Sequence, residues 1–206
     1  MLNNNNIKLL IFDMDGTLID SAYLNYYSYY NAFKEFNIEL DKDYYYNKCF
    51  GLHYKIFTEN ILELNNKITK DENKNNELIE SIHNLKEKIY LANLNLIQIH
   101  PFILYTLIDN YNKKDNKKHT ALATTSSPKG VYAILKEFNL EKLFDLVLTG
   151  NDIQNKKPHP EIFFKCINHF NVKEEESIIF EDSEVGLEAA NQTNAWVIKV
   201  EKWAKI

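Results

Sequence analysis

Four short stretches of this chain gather groups that could do chemistry: Asp13-Met14-Asp15-Gly16-Thr17, Thr124-Thr125-Ser126-Ser127-Pro128, Lys156-Lys157-Pro158-His159-Pro160 and Glu181-Asp182-Ser183. Two carboxylates one residue apart repel unless a cation lies between them or one takes a proton. Either solution serves catalysis, as a site for a hard metal ion or as an acid/base pair. A bare D-x-D is equally compatible with a turn that its Asp and Thr only cap. The Thr/Ser stretch offers hydroxyls and free amides at a helix start, which makes either an anion site or an ordinary N-cap. A lysine followed by prolines is held in a rigid turn. His159, between two prolines, reads as an exposed side chain rather than an acid/base. Glu181 and Asp182 could hold a cation or simply cap the helix that begins near Glu184.

Each stretch follows a strand or opens a helix. Leu9 to Phe12 is a short apolar run bounded by a turn, the pattern of a strand covered on both faces. Asp13 and Asp15 then lie at its carboxyl end, where open α/β sheets have their ligand crevices. Strand alternation turns the two acids to one side with Met14 opposite, and Gly16 lets the chain turn sharply. Further strands are predicted at His119 to Ala123, Leu146 to Leu148, Ile178 to Phe180 and Trp196 to Val200. Helices are predicted from His100-Pro101-Phe102 to Tyr111, Pro128 to Phe138, Pro160 to Phe170 and Val185 to Gln192. This alternation implies right-handed crossovers and a doubly wound parallel sheet of the α/β class.

Ser21 to about Leu94 is different, because only helical periodicity is found there. Helices are expected over Tyr23 to Phe36, from an Asp41 or Asp43 cap through Cys49, over His53 to Leu64 and over Glu77 to Leu94. Gly51 breaks the run, and Asn65 to Asn76 reads as a polar loop around Ile68. The chain therefore divides into a core at 1–20 and 95–206 and a helical insert at 21–94.

Composition narrows the function. The chain has 206 residues, 45% of them apolar and 26% charged, which is ordinary for a globular protein. A formal charge of −5 offers no basic surface for nucleic acid or an acidic membrane. All 24 basic residues in the Lys+Arg count are lysines. Without arginine, no bidentate guanidinium can clamp a phosphate, so lysine, backbone amides and a metal must do it. Cys49 and Cys166 lack any C-x-x-C spacing and read as buried reduced thiols. With no membrane-length apolar run and no leader pattern, the cytoplasm is expected.

The apolar strand followed by D-M-D-G-T-L-I-D-S, Asp13 to Ser21, resembles the first signature of the haloacid dehalogenase-like hydrolase superfamily. Thr125 is similar in place to the Thr or Ser that ends the second strand there. Lys157-Pro158-His159-Pro160 resembles the third signature, K-P-x-P, whose proline register selects Lys157 over Lys156. Glu181-Asp182 resembles the acidic pair of the fourth. The resemblance runs over essentially the whole chain, the insert matching only in its helical character, as in the phosphoglycolate phosphatase and β-phosphoglucomutase branch.

That resemblance implies a Rossmann-like core with a helical cap, and a Mg²⁺-dependent phosphatase working through an aspartyl-phosphate. Asp13 is then the nucleophile and Asp15 the acid/base. Thr125, the Ser126 amide and Lys157 bind the transferring phosphoryl group. Mg²⁺ is held by Asp13, the Asp15 carbonyl, Asp182 and Glu181. The cap loop Gly51 to Lys55 chooses the substrate through His53, Tyr54 and Lys55. A small phosphorylated metabolite is the expected partner of a monomer or weak dimer, with neither nucleic acid nor membrane. A sugar-phosphate mutase shares all four signatures; its cap histidine would fall at Asn25 and its arginine near Tyr54, in a chain with no arginine. A dehalogenase lacks the second acid and the magnesium site. A catalytically silent binding protein could lose one of the acids, and none is missing.

Overall fold

A computed structural model describes residues 6–49 and 52–201 of the chain. They form two compact units, one from residue 6 to Ser21 together with Ile97 to Glu201, the other within Ala22–Leu96.

The first unit is built on a five-stranded parallel sheet in the order β5-β4-β1-β6-β7. Its strands are β1 (Leu9–Phe12), β4 (His119–Ala123), β5 (Leu146–Leu148), β6 (Ser177–Glu181) and β7 (Trp196–Lys199). Sequence order reverses at β1, which lies between β4 and β6, and such a switch point opens a crevice at the carboxyl ends of the strands. All four residues of β1 are buried, as the unbroken apolar run requires of a central strand. Leu9 and Ile11 join Ala121, Ala123 and Ile179 against Ile162, Phe163, Cys166 and Ile167 of α7 (Glu161–His169). Ala189 and Ala190 of α8 (Glu184–Ala190) close the same layer. On the opposite face Phe12 stacks on Phe180 with ring centres 4.6 Å apart and meets Phe144 edge-on at 6.3 Å. Buried residues of α5 (Pro101–Asn112) and α6 (Pro128–Glu137), Ile103, Leu107, Val131, Ile134 and Leu135, extend the apolar core. Each such side chain contributes about 1.5–3 kcal/mol on leaving water.

The helical expectation for the insert holds, with one correction. The second unit contains α1 (Ala22–Glu35), α2 (Lys42–Tyr44) running into a π-turn at Tyr45–Cys49, α3 (Tyr54–Leu64) and α4 (Glu72–Ala92). Its core joins Tyr29, Phe33, Tyr45, Phe57, Leu62 and Ile82, with Cys49 among them. The expected loop Asn65 to Asn76 is helical from Glu72, because the Asp71 carboxylate accepts the Asn73 and Lys74 amides at 3.1 and 3.3 Å and starts α4 early. The polar run hid that cap, since its residues carry no apolar period.

A second feature was not anticipated. β2 (Ile19–Asp20) pairs antiparallel with β3 (Gln98–Ile99), tying together the two ends of the chain that flank the insert. Two residues per strand are too few for alternation to register in a sequence. Both cysteines are free and buried, as expected. No helix among the described residues is long and apolar enough to cross a membrane.

Candidate active site

Strand register brings the distant acidic stretches together. Phe12 lies opposite Leu122 on one side and Phe180 on the other, so one step further Asp13 comes level with Ala123 and Glu181. The Asp13 amide continues the ladder by donating to the Phe180 carbonyl at 3.0 Å. β1 itself ends at Phe12, so the placing of Asp15 is set by a turn and not by strand alternation. In that turn the Met14 carbonyl accepts the Leu18 and Ile19 amides at 2.9 and 3.0 Å. The two acids accordingly have different partners.

Asp13 faces a buried cation. Lys157 Nζ donates to Asp13 Oδ1 at 2.5 Å, to Glu181 Oε2 at 2.7 Å and to the Ala123 carbonyl at 3.2 Å. Those three acceptors use all the protons of an ammonium. The Lys157 side chain is only 5% exposed, and it reaches this point from a turn that Glu161 organises. The Glu161 carboxylate accepts the Gln154 and Asn155 amides at 3.0 and 2.8 Å, and those bonds hold its pKa down to about 2. His159 Nδ1 accepts the Glu161 amide at 3.2 Å, so this histidine serves the turn.

Burial pushes the Asp13 carboxyl well above the usual carboxylate range; Lys157 pulls it back and Glu181 adds to the rise. Burial alone would lower Lys157, but the Asp13 and Glu181 carboxylates outweigh it and its pKa is raised. Both directions report one condition, a buried cluster with more negative than positive groups.

Carboxylate oxygens of Asp13, Glu181 and Asp182 all lie within 4.8 Å of one another. Three hard oxygen donors around a shortage of positive charge suit a small divalent cation such as Mg²⁺. The backbone has been cleared for them. A Cβ on Gly186 would collide with the Glu181 carboxylate, and one on Gly16 with that of Asp182, to which Thr17 also donates at 3.1 Å. Gly16 further has φ +97°, which side-chain-bearing residues rarely adopt. Gly16→Ala is therefore expected to push Asp182 aside and, if the trio holds Mg²⁺, to weaken Mg²⁺ half-saturation by roughly 10–100-fold. Unchanged half-saturation in a Mg²⁺ titration would refute this role for Gly16.

The Asp15 carboxylate stands apart from that trio. Its Oδ1 accepts from Ser21 Oγ at 2.6 Å and its Oδ2 from Ser126 Oγ at 2.7 Å. The Ser126 amide, expected to face phosphate, donates to Thr124 Oγ1 at 3.1 Å. Thr125 is partly exposed, and its hydroxyl makes no hydrogen bond among the described residues. Thr124 belongs to the hydroxyl stretch named from the sequence, within which Thr125 was singled out instead. Thr124 follows the last residue of β4, is 2% exposed, and keeps a hydroxyl proton to donate because the Ser126 amide occupies only a lone pair. The signal was present, since it is the first hydroxyl beyond the strand.

His53, Tyr54 and Lys55 lie in the helical unit at the start of α3; Gly51 of the same expected loop lies outside the described residues. His53 Nδ1 accepts the Lys55 amide at 3.4 Å. Tyr54 stacks on His83 with ring centres 3.8 Å apart and donates its hydroxyl to Glu80 at 2.8 Å, while Lys55 pairs with Glu80 at 3.1 Å. His53 thus caps α3 through the Lys55 amide, and the Tyr54 and Lys55 side chains tie it to α4.

A reversing parallel sheet with an acidic trio and one buried lysine at its carboxyl end defines a class, and comparison with known proteins agrees. The family model for haloacid dehalogenase-like hydrolases matches residues 10–200, and the chain belongs to that family. It is 27% identical over 188 residues to a phosphorylated carbohydrates phosphatase of Thermotoga maritima, covering 89% of this chain and 80% of that protein. A solved structure described as a predicted phosphoglycolate phosphatase, from Haemophilus somnus, superposes with a TM-score of 0.81 at 23% identity, covering 96% of this chain and 86% of the other. The β-phosphoglucomutase of Clostridium difficile superposes with a TM-score of 0.69 at 27% identity, covering 95% and 85%.

Proposed function

We propose that this chain is a Mg²⁺-dependent phosphatase that hydrolyses a small phosphorylated metabolite through an aspartyl-phosphate on Asp13. The observation that carries the reading is Lys157 bridging Asp13 and Glu181 with Asp182 close by, while Asp15 is held apart on hydroxyls. This arrangement supports a reading in which one carboxylate attacks and another transfers the proton. The phosphatase relative lends the substrate class.

Asp13, Glu181, Asp182 and the Asp15 carbonyl would hold the cation. Bound there, Mg²⁺ would neutralise charge on the phosphoryl oxygens and keep Asp13 ionised. The chain's own residues do the rest. Asp13 supplies the attacking oxygen, and Lys157 offsets the charge that develops beside it. The hydroxyls of Thr124 and Thr125 offer donors to equatorial phosphoryl oxygens. Asp15 protonates the leaving alcohol and then takes a proton from the water that releases phosphate. EDTA-treated protein is expected to lose p-nitrophenyl phosphate hydrolysis, and added Mg²⁺ to restore it. Full activity in EDTA would sink the metal assignment.

The Clostridium mutase favours a second reading as a sugar-phosphate mutase. Against it stand Asn25 and Tyr54 at the expected histidine and arginine positions, with the Tyr54 hydroxyl already on Glu80. A lysine-only chain also has no bidentate grip for a second phosphate. Conversion of β-glucose 1-phosphate to the 6-phosphate with little phosphate released would decide for the mutase. His53, Tyr54 and Lys55 are proposed to set substrate preference. Replacing His53 and Lys55 by Ala should change relative kcat/KM among sugar phosphates severalfold, more than it changes turnover of p-nitrophenyl phosphate. Equal losses on all substrates would remove that role.

A further inference from the structure

Both oxygens of Asp15 are bound by hydroxyls, but the two donors are anchored differently. Ser21 is buried at the end of the segment that leads from β2 into α1. Ser126 stands in the turn after β4, where the backbone is clamped from both sides. Its amide donates to Thr124 Oγ1 at 3.1 Å, and its carbonyl accepts the Gly150 amide at 2.9 Å. A Cβ on Gly150 would collide with the Thr125 carbonyl, so the two turns touch backbone to backbone. A serine on a clamped backbone keeps little freedom beyond its own χ1. The 2.7 Å bond from its Oγ therefore fixes the plane of the Asp15 carboxylate.

We propose that Ser126 acts through its hydroxyl as the positioning residue for Asp15, beyond any contribution of its amide to phosphate binding. The proposal rests on the phosphatase reading above. In the first half-reaction an Asp13 oxygen bonds to phosphorus as the ester P–O bond breaks, and the departing oxygen takes that electron pair and the Asp15 proton. In the second, a water oxygen bonds to phosphorus, its proton passes to Asp15, and the breaking bond returns its electron pair to Asp13. A carboxyl that must give and take a proton at one place needs its plane set. p-Nitrophenolate is a stable anion and leaves without a proton, so with that ester only the second half-reaction depends on Asp15.

The experiment measures kcat and kcat/KM for p-nitrophenyl phosphate with saturating Mg²⁺ in the parent, Ser126→Ala and Ser126→Thr. Here kcat/KM reports the steps through formation of the aspartyl-phosphate, and a slowed hydrolysis of that intermediate appears in kcat alone. Ser126→Ala is expected to lower kcat about tenfold or more while kcat/KM stays within about threefold, so that KM falls with kcat. Ser126→Thr, which keeps the hydroxyl, should recover most of kcat. Equal falls in kcat and kcat/KM would overturn the proposal in favour of a general packing or phosphate-binding role. An unchanged kcat in Ser126→Ala would overturn it outright. A parent chain without Mg²⁺-dependent turnover of this ester would remove the phosphatase reading, and the proposal with it.

Discussion

Asp13→Asn is expected to lower turnover of p-nitrophenyl phosphate by at least ~10³-fold, the scale on which enzymes lose rate when a nucleophile is removed. The substitution takes away the oxygen proposed to attack and one of the three clustered carboxylates at once. It should do so with little damage to the fold. Asn has the shape of Asp, the Asp13 backbone stays in the ladder with Phe180, and Lys157 retains Glu181 at 2.7 Å. The check is a steady-state assay beside a thermal melt. Activity within tenfold of the parent, in a protein that melts normally, would end the assignment of Asp13 as nucleophile.

The second large effect is on stability. Lys157→Met keeps an unbranched apolar stem one atom shorter and loses the ammonium, which lies 5.0 Å from the centre of the Phe163 ring. It removes the charge that bridges Asp13 and Glu181. Leaving a buried carboxylate unpaired typically costs about 3–5 kcal/mol. For a protein of this size that corresponds to a fall in Tm of roughly 6–20 °C in EDTA. Mg²⁺ should then raise the melting temperature of the variant more than that of the parent, since the cation meets carboxylates that no lysine neutralises. Calorimetry in EDTA and in Mg²⁺ measures both effects. A variant that melts within about 2 °C of the parent in EDTA would mean that Lys157 compensates no buried charge. Activity should fall as well, because the same ammonium is proposed to offset charge beside the Asp13 oxygen that attacks.

Much of the sheet was legible because its strands announce themselves locally. Leu9 to Phe12 and His119 to Ala123 are bounded apolar runs, and the observed strands coincide with both. Asp13, Lys157, Glu181 and Asp182 could be named together because each sits in a compact local pattern next to such a run or a proline turn, and those patterns resemble the signatures of one family. The hydroxyls around Asp15 could not. Ser126 comes from 111 residues away, and serine before a helix is too common to mark a partner. The early start of α4 was hidden for a related reason. A cap is a single side chain among polar neighbours, and only the fold shows which one folds back.

The central position of β1 also governs the order in which the chain can fold as it is made. β1 precedes the other strands of its sheet in the chain, yet its two neighbours are β4 and β6, and β6 ends only at Glu181. At bacterial-to-eukaryotic elongation speeds of about 5–20 residues per second, Leu9 to Phe12 waits roughly ten to thirty seconds for its last partner. The helical unit, contiguous from Ala22 to Leu96, has all its own contacts available long before then. A nascent chain therefore carries a finished helical unit beside a bare strand whose four side chains are all destined for the interior. Until its partners emerge, that strand is an apolar segment open to aggregation and a natural client for a chaperone.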